Sequence, residues 1–248
     1  MIQVVDVYRS FGKQQVLRGL NLRVQRGEIL AVIGRSGSGK TVLLRLLIGL
    51  LRPDRGQVIV EGTDISTLYG RRLDRVRERF GMLFQGGALF DSMNVLDNVA
   101  FPLREKTKLS EPEIASRVQK MLESVGLGDM GYKFPAELSG GMKKRAALAR
   151  ALITGPSIVL FDEPTTGLDP ILVQAIHQLI LDTHRTFGYT AVLVSHEVPK
   201  VFDVATRVAM IDEGTIIEEG TPEEILKSSD PLIRQFIEGK LEGPIHPL

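Results

Sequence analysis

The stretch "EILAVIGRSGSGKT", Glu28–Thr41, decides the fold. Ile29–Ile33 is an unbroken apolar run, the pattern of a strand buried on both faces of a parallel sheet. Gly34–Thr41 then has the spacing of a phosphate-binding loop, and the leucine-rich segment Gly39–Leu51 continues at helical spacing. An ordinary glycine-rich turn would not need a lysine and a threonine between a strand and a helix. In a phosphate loop the backbone N–H groups of Gly34, Arg35, Ser36, Gly37, Ser38 and Gly39 curl around phosphate oxygens, aided by the positive end of the helix. Lys40 reaches the β- and γ-phosphates, and the Thr41 hydroxyl is a ligand for Mg²⁺.

A second stretch, "SIVLFDEP", Ser157–Pro164, completes this chemistry. A short apolar strand ends in Asp162 and Glu163, at the carboxyl edge where parallel sheets build their sites. Asp162 is expected to hold Mg²⁺ through water, and Glu163 to polarise the attacking water as general base. Adjacent carboxylates after a strand are often no more than a helix cap; the phosphate loop is what favours catalysis. His196 and Gln85 each follow a strand, "TAVLV" and "GMLF", and are weak signals alone. "LSGGM", Leu138–Met142, changes that. A Ser-Gly-Gly turn opening a basic helix is a second anion site. One chain holding one ATP gains nothing from it unless two copies face each other across a two-fold axis, with Ser139 offered to the partner's γ-phosphate.

The pattern around these motifs places them. "IQVVDV", "LNLRV" and "QVIVEG" read as an N-terminal antiparallel β portion. Residues from about 94 to 156 read as an inserted helical subdomain, with a Ser110/Glu113 capping box and an apolar face at Ile114, Val118, Met121, Leu122 and Val125. The remainder, 1–93 and 157–248, is the catalytic core. After 157 strands alternate with helices over 170–187 and 197–205, implying a mainly parallel sheet. Thr221, Pro222 and Glu224 open one more helix. The fold class is α/β, a P-loop NTPase core.

Composition narrows the function. A formal net charge of +1 in 248 residues argues against a dedicated nucleic-acid binder. The basic run "GRRLDRVRERF" carries Asp74 and Glu78 and reads as a solvated helix face. The absence of cysteine excludes disulfides and thiolate metal sites and fits a cytosolic protein. No apolar run is long enough to span a bilayer, and the N-terminus lacks a signal-peptide pattern.

The ordered set "GRSGSGKT", Gln85, "LSGGM", "VLFDEP", "GLD" and His196 resembles the ATP-binding subunit of ABC transporters. The resemblance implies roles by position. Phe11 would stack on adenine with Val16 beside it. Gln85 would link Mg²⁺ and the attacking water to a membrane partner, His196 would contact the γ-phosphate, and Asp169 would stand at the dimer interface, although before Pro170 it also makes a good helix cap. Ser139, Gly140 and Gly141 would bind the ATP of the partner subunit. Met142 departs from the usual glutamine. "LFQGGALFDSMNVLDNVAFPLRE", "LSGGMKKRAALARA" and "RQFIEGKLEGP" are similar, more narrowly, to the Mla-type phospholipid transport ATPases of Gram-negative envelopes. That implies a homodimer at the cytoplasmic face of the inner membrane, a permease, an MCE-domain lipid-binding protein, and a STAS-domain protein as an additional partner. The other readings are an ABC transporter for another substrate, a soluble ABC ATPase of translation or DNA repair, and a P-loop kinase. The last would need neither "LSGG" nor His196.

The loop "FQGGALFDSMNV", Phe84–Val95, has almost no catalytic chemistry. Leu89, Phe90, Met93 and Val95 are expected to form a socket for a cytoplasmic helix of the permease, which needs apolar anchors and little else. The competing reading is that they fill the core beneath the helical subdomain.

Overall fold

The computed structural model describes residues 1–245. In chain order it contains β1 (Ile2–Phe11), β2 (Gln14–Val24), β3 (Ile29–Ile33), α1 (Lys40–Leu47), β4 (Arg55–Val60), β5 (Thr63–Asp64), α2 (Gly70–Arg77) and β6 (Phe80–Leu83). Three helices follow, α3 (Val95–Lys106), α4 (Glu111–Ser124) and α5 (Gly140–Leu152), then β7 (Ile158–Asp162) and α6 (Pro170–Phe187). The chain ends with β8 (Thr190–Val194), β9 (Arg207–Asp212), β10 (Thr215–Gly220), α7 (Pro222–Leu226) and α8 (Pro231–Glu238). It divides into two compact units, Met1–Arg77 with the chain from Thr190 onward, and Glu78–Tyr189.

In the first unit β2, β1, β4 and β5 form an antiparallel sheet in that order, with Ile2 opposite both Val24 and Val60. Ile2, Val4, Leu22, Val58 and Val60 are buried, the inward half of a period-two alternation. β3 lies parallel to β8 on one side and β9 on the other. Every residue of β3 and β8 is buried, as a strand covered on both faces demands. β10 closes this part antiparallel to β9. Arg207 on β9 ties it together by pairing with Glu28 at 2.9 Å and Glu219 at 2.6 Å; its pKa is raised, chiefly by the hydrogen bond it donates to Glu28.

In the second unit β6 and β7 pair in parallel. α4 has the expected capping box, and Ile114, Val118, Met121, Leu122 and Val125 are all buried. α2, in the first unit, buries only Leu73 and Val76 and pairs Arg77 with Asp74 at 3.2 Å, the solvated helix its sequence suggested. The helix expected over 197–205 is absent. A single 3₁₀ turn, Lys200–Asp203, stands there, because Pro199 lacks an N–H and disfavours helical geometry at Val198. Val95 also departs from expectation. It is 0% exposed at the start of α3, so it belongs to the core and leaves the docking set.

Candidate functional site: a nucleotide phosphate loop and a strand-end carboxylate

The phosphate loop grows out of the carboxyl end of β3. Gly34 is there because nothing else fits: a Cβ would lie 2.1 Å from the Ile211 carbonyl, and φ is +148°. α1 starts from Gly39 in a left-handed conformation without a side-chain cap. Lys40 is 6% exposed and folds over the loop, donating to the Gly34 carbonyl at 2.8 Å and the Arg35 carbonyl at 2.7 Å. Ser38 Oγ is buried with no hydrogen-bond partner in the protein, a polar atom that a phosphate oxygen would satisfy. A recess of about 440 Å³ beside the loop is lined by Val16, Gly37, Ser38 and Gly214, with Lys13 and an Arg18–Glu213 pair at 3.5 Å at its edge. Phe11 does not line the recess; it is 44% exposed at the end of β1, with the Arg9 guanidinium 4.8 Å from its ring centre.

His196 stands exposed just beyond β8. Its neighbour Ser195 donates its N–H to the Val32 carbonyl at 3.2 Å, so His196 emerges at the same strand edge as the phosphate loop. Asp212, at the end of β9 on this edge, is buried, and burial raises its pKa against the opposing pull of Arg35.

In the second unit Asp162 and Glu163 terminate β7. Asp162 is 9% exposed. Glu163 has φ +47°, a conformation disfavoured for non-glycine residues and the kind of local strain that collects at active sites. Its Oε2 accepts from Gln85 Nε2 at 3.1 Å and from Thr166 Oγ1 at 3.0 Å. The structure thus joins two residues that were 78 positions apart. Ser139 is exposed and N-caps α5, accepting from the Met142 N–H at 3.3 Å. Gly141 lets α5 approach α6, since a Cβ would sit 3.2 Å from Leu172 Cδ2. Asp169 caps α6, its Oδ1 accepting from Ile171 and Leu172 N–H at 2.9 and 3.0 Å.

Three residues that sequence reading did not single out organise the Phe84–Val95 loop. Asn98, 0% exposed, accepts the Phe90 N–H at 2.8 Å and donates to the Phe90, Met93 and Asn94 carbonyls at 3.0 Å each. Arg150 donates to the Gly87 carbonyl at 2.8 Å, and burial lowers its pKa. Lys144 donates to the Gln85 carbonyl. Asn98 did leave a signal, an amide on the helix face shared by Val95, Val99 and Leu103. Phe90 rests edge-on against Phe101 at 5.0 Å yet stays 42% exposed, while Leu89 and Met93 are half-buried.

A model of the ABC transporter family matches residues 17–166, more than half of the chain. The chain belongs to the ABC transporter family. This ABC cassette is 45% identical over 98% of its length to the probable ribonucleotide transport ATP-binding protein mkl of Mycobacterium leprae, spanning 70% of that protein. It is 42% identical to the intermembrane phospholipid transport system ATP-binding protein MlaF of Escherichia coli K12, over 99% of its own length and 91% of the relative's, and 44% identical to MlaF of Haemophilus influenzae, over 99% and 93%. It superposes on the dimeric cassette MJ0796 bound to ADP and Pi with a TM-score of 0.81 at 29% identity, covering 90% of this chain and 99% of that one. For cbiO1 of Clostridium perfringens, part of the ABC transporter complex cbiONQ, the TM-score is 0.84 at 30% identity, over 97% and 95%. The cassette is an ATP-binding, ATP-hydrolysing subunit of an ABC transporter. Cassettes of this fold dimerise, and among the described residues no helix of this one is long and apolar enough to cross a membrane.

Proposed function

We propose that this cassette powers phospholipid movement in a Gram-negative envelope, working as a homodimer bound to a permease at the cytoplasmic face of the inner membrane. The observation that carries this reading is near full-length correspondence with MlaF, 91% and 93% of those chains, against 70% of the mkl protein. The methionine of "LSGGM" and the apolar loop at Phe84–Val95 support it further. An MCE-domain lipid-binding protein and a STAS-domain protein belong to the same proposal.

The catalytic assignments follow the chemistry of the donors. Lys40 and the N–H groups of the loop from Gly34 to Thr41 hold the phosphates, and Phe11 with Val16 takes the base. Thr41, Gln85 and, through water, Asp162 are the oxygen donors that would hold Mg²⁺, which would supply positive charge against the nucleotide's phosphates. Glu163 polarises the attacking water and Gln85 shares its carboxylate, while His196 hydrogen-bonds the γ-phosphate. Ser139, Gly140 and Gly141 meet the nucleotide of the partner, with Asp169 beside them. Residues 94–156 form the helical arm that carries this turn, and Leu89, Phe90 and Met93 receive a permease helix.

Reconstitution with the permease in proteoliposomes, using fluorescent phospholipid, tests the substrate. ATP-dependent phospholipid transfer that is lost in Glu163→Gln supports the proposal. Absence of transfer, with ATPase activity stimulated instead by ribonucleotides, overturns it.

A further inference from the structure

Lys144 is an ammonium group 7% exposed, on a helix whose Arg145 and Arg150 also donate to backbone carbonyls, of Val125 and Gly87. Taking an ammonium out of water is costly unless hydrogen bonds replace the solvent. Its donation to the Gln85 carbonyl is therefore a specific contact, and Gln85 is the residue whose amide reaches Glu163 at 3.1 Å. Lys144 lies five residues beyond Ser139 on α5, about one and a half turns along the helix. Arg150, further along, fastens the Gly87 carbonyl in the same way. One rigid helix thus presents Ser139 at its open end and grips the backbone of Gln85 along its side.

We propose that Lys144 is a positioning residue for ATP hydrolysis: it fixes Gln85 against Glu163 and makes that placement depend on the helix that carries Ser139. The proposal rests on the reading of Gln85 and Glu163 as the water-activating pair. Lys144 acts in this proposal through the Gln85 carbonyl, so its removal is expected to lower turnover rather than nucleotide affinity.

The experiment compares Lys144→Met, which keeps the alkyl volume and loses the donor, with Lys144→Arg, which keeps a donor, in the purified full chain. The expected result for Lys144→Met is a kcat lower by about tenfold to a hundredfold, the cost of a small misplacement in an active site. Affinity for a fluorescent ATP analogue and thermal unfolding should match wild type, and Lys144→Arg should recover most of kcat. Wild-type turnover in Lys144→Met overturns the proposal, as does a loss confined to nucleotide affinity, a chain that fails to fold, or a folded Lys144→Arg no better than Met. Glu163→Gln run alongside separates the two readings. If Glu163→Gln turns over normally, the water-activating assignment fails; if it is inactive while Lys144→Met is fully active, only the role of Lys144 fails.

Discussion

Gln85 Nε2 donates to Glu163 Oε2 at 3.1 Å, while the Gln85 carbonyl accepts from Lys144 and the chain beyond it is bound to Asn98. A strand-end carboxylate and an apolar loop without catalysts are therefore parts of one arrangement. Hydrogen bonds from Lys144, Arg150 and Asn98 fix the backbone of this loop on either side of Gly86.

Glu163→Gln should bind ATP as well as wild type and hydrolyse it about 10²- to 10⁴-fold more slowly, the range for losing a general base. Gln keeps the shape of Glu and can still meet Gln85 and Thr166. Steady-state phosphate release and size-exclusion chromatography with ATP check this, with a persistent dimer expected. Lys40→Ala should behave oppositely, losing roughly tenfold to a hundredfold in nucleotide affinity as a charge-assisted contact disappears.

Asn98→Ala should cost about 2–4 kcal/mol of stability, because it strands the Phe90 N–H and removes the donor to three carbonyls at a fully buried site. Urea unfolding measures it. Asn98→Asp retains the acceptor for the Phe90 N–H but places a carboxylate against three carbonyls, and is expected to be no better. A change below about 0.5 kcal/mol, the scale of a neutral surface substitution, would show that the loop does not depend on this amide.

Phe90→Glu should leave the isolated subunit folded, since the ring is already 42% exposed, and should leave ATP titration curves unchanged. Co-purification with the permease, or stimulation of ATPase activity by it, should be lost. Normal assembly and transport in this variant would remove Phe90 from the docking surface.

Asp212→Asn should stabilise the protein at neutral pH. Burial raises the folded pKa of Asp212, so the native state penalises the ionised form. That penalty is absent below the unfolded value, grows between the unfolded and the raised folded value, and is full above the latter. Thermal melts from about pH 4 to about pH 7.5 should therefore converge at the acid end and separate toward neutrality. A constant gap across that range would assign the difference to packing.

The local elements were legible in the chain because short-range physics sets them. The all-apolar run Ile29–Ile33 could only be a covered strand, and the apolar spacing from Ile114 to Val125 could only be one helix face. The phosphate loop was equally plain, since its glycines answer to backbone geometry inside eight residues. Segment 197–205 misled because helical composition outweighed one proline whose missing N–H stops the helix. What the linear order could not decide was which distant groups share hydrogen bonds. Val95 and Phe90 look alike in the sequence, yet one is 0% and the other 42% exposed, because only packing assigns each side of a loop to core or solvent. The partners of Gln85 lie 59 and 78 residues away, on a helix and at a strand end. Pattern and propensity act over a few residues, whereas a buried polar group is satisfied by whatever the fold brings within 3 Å or so, and that is decided by tertiary structure alone.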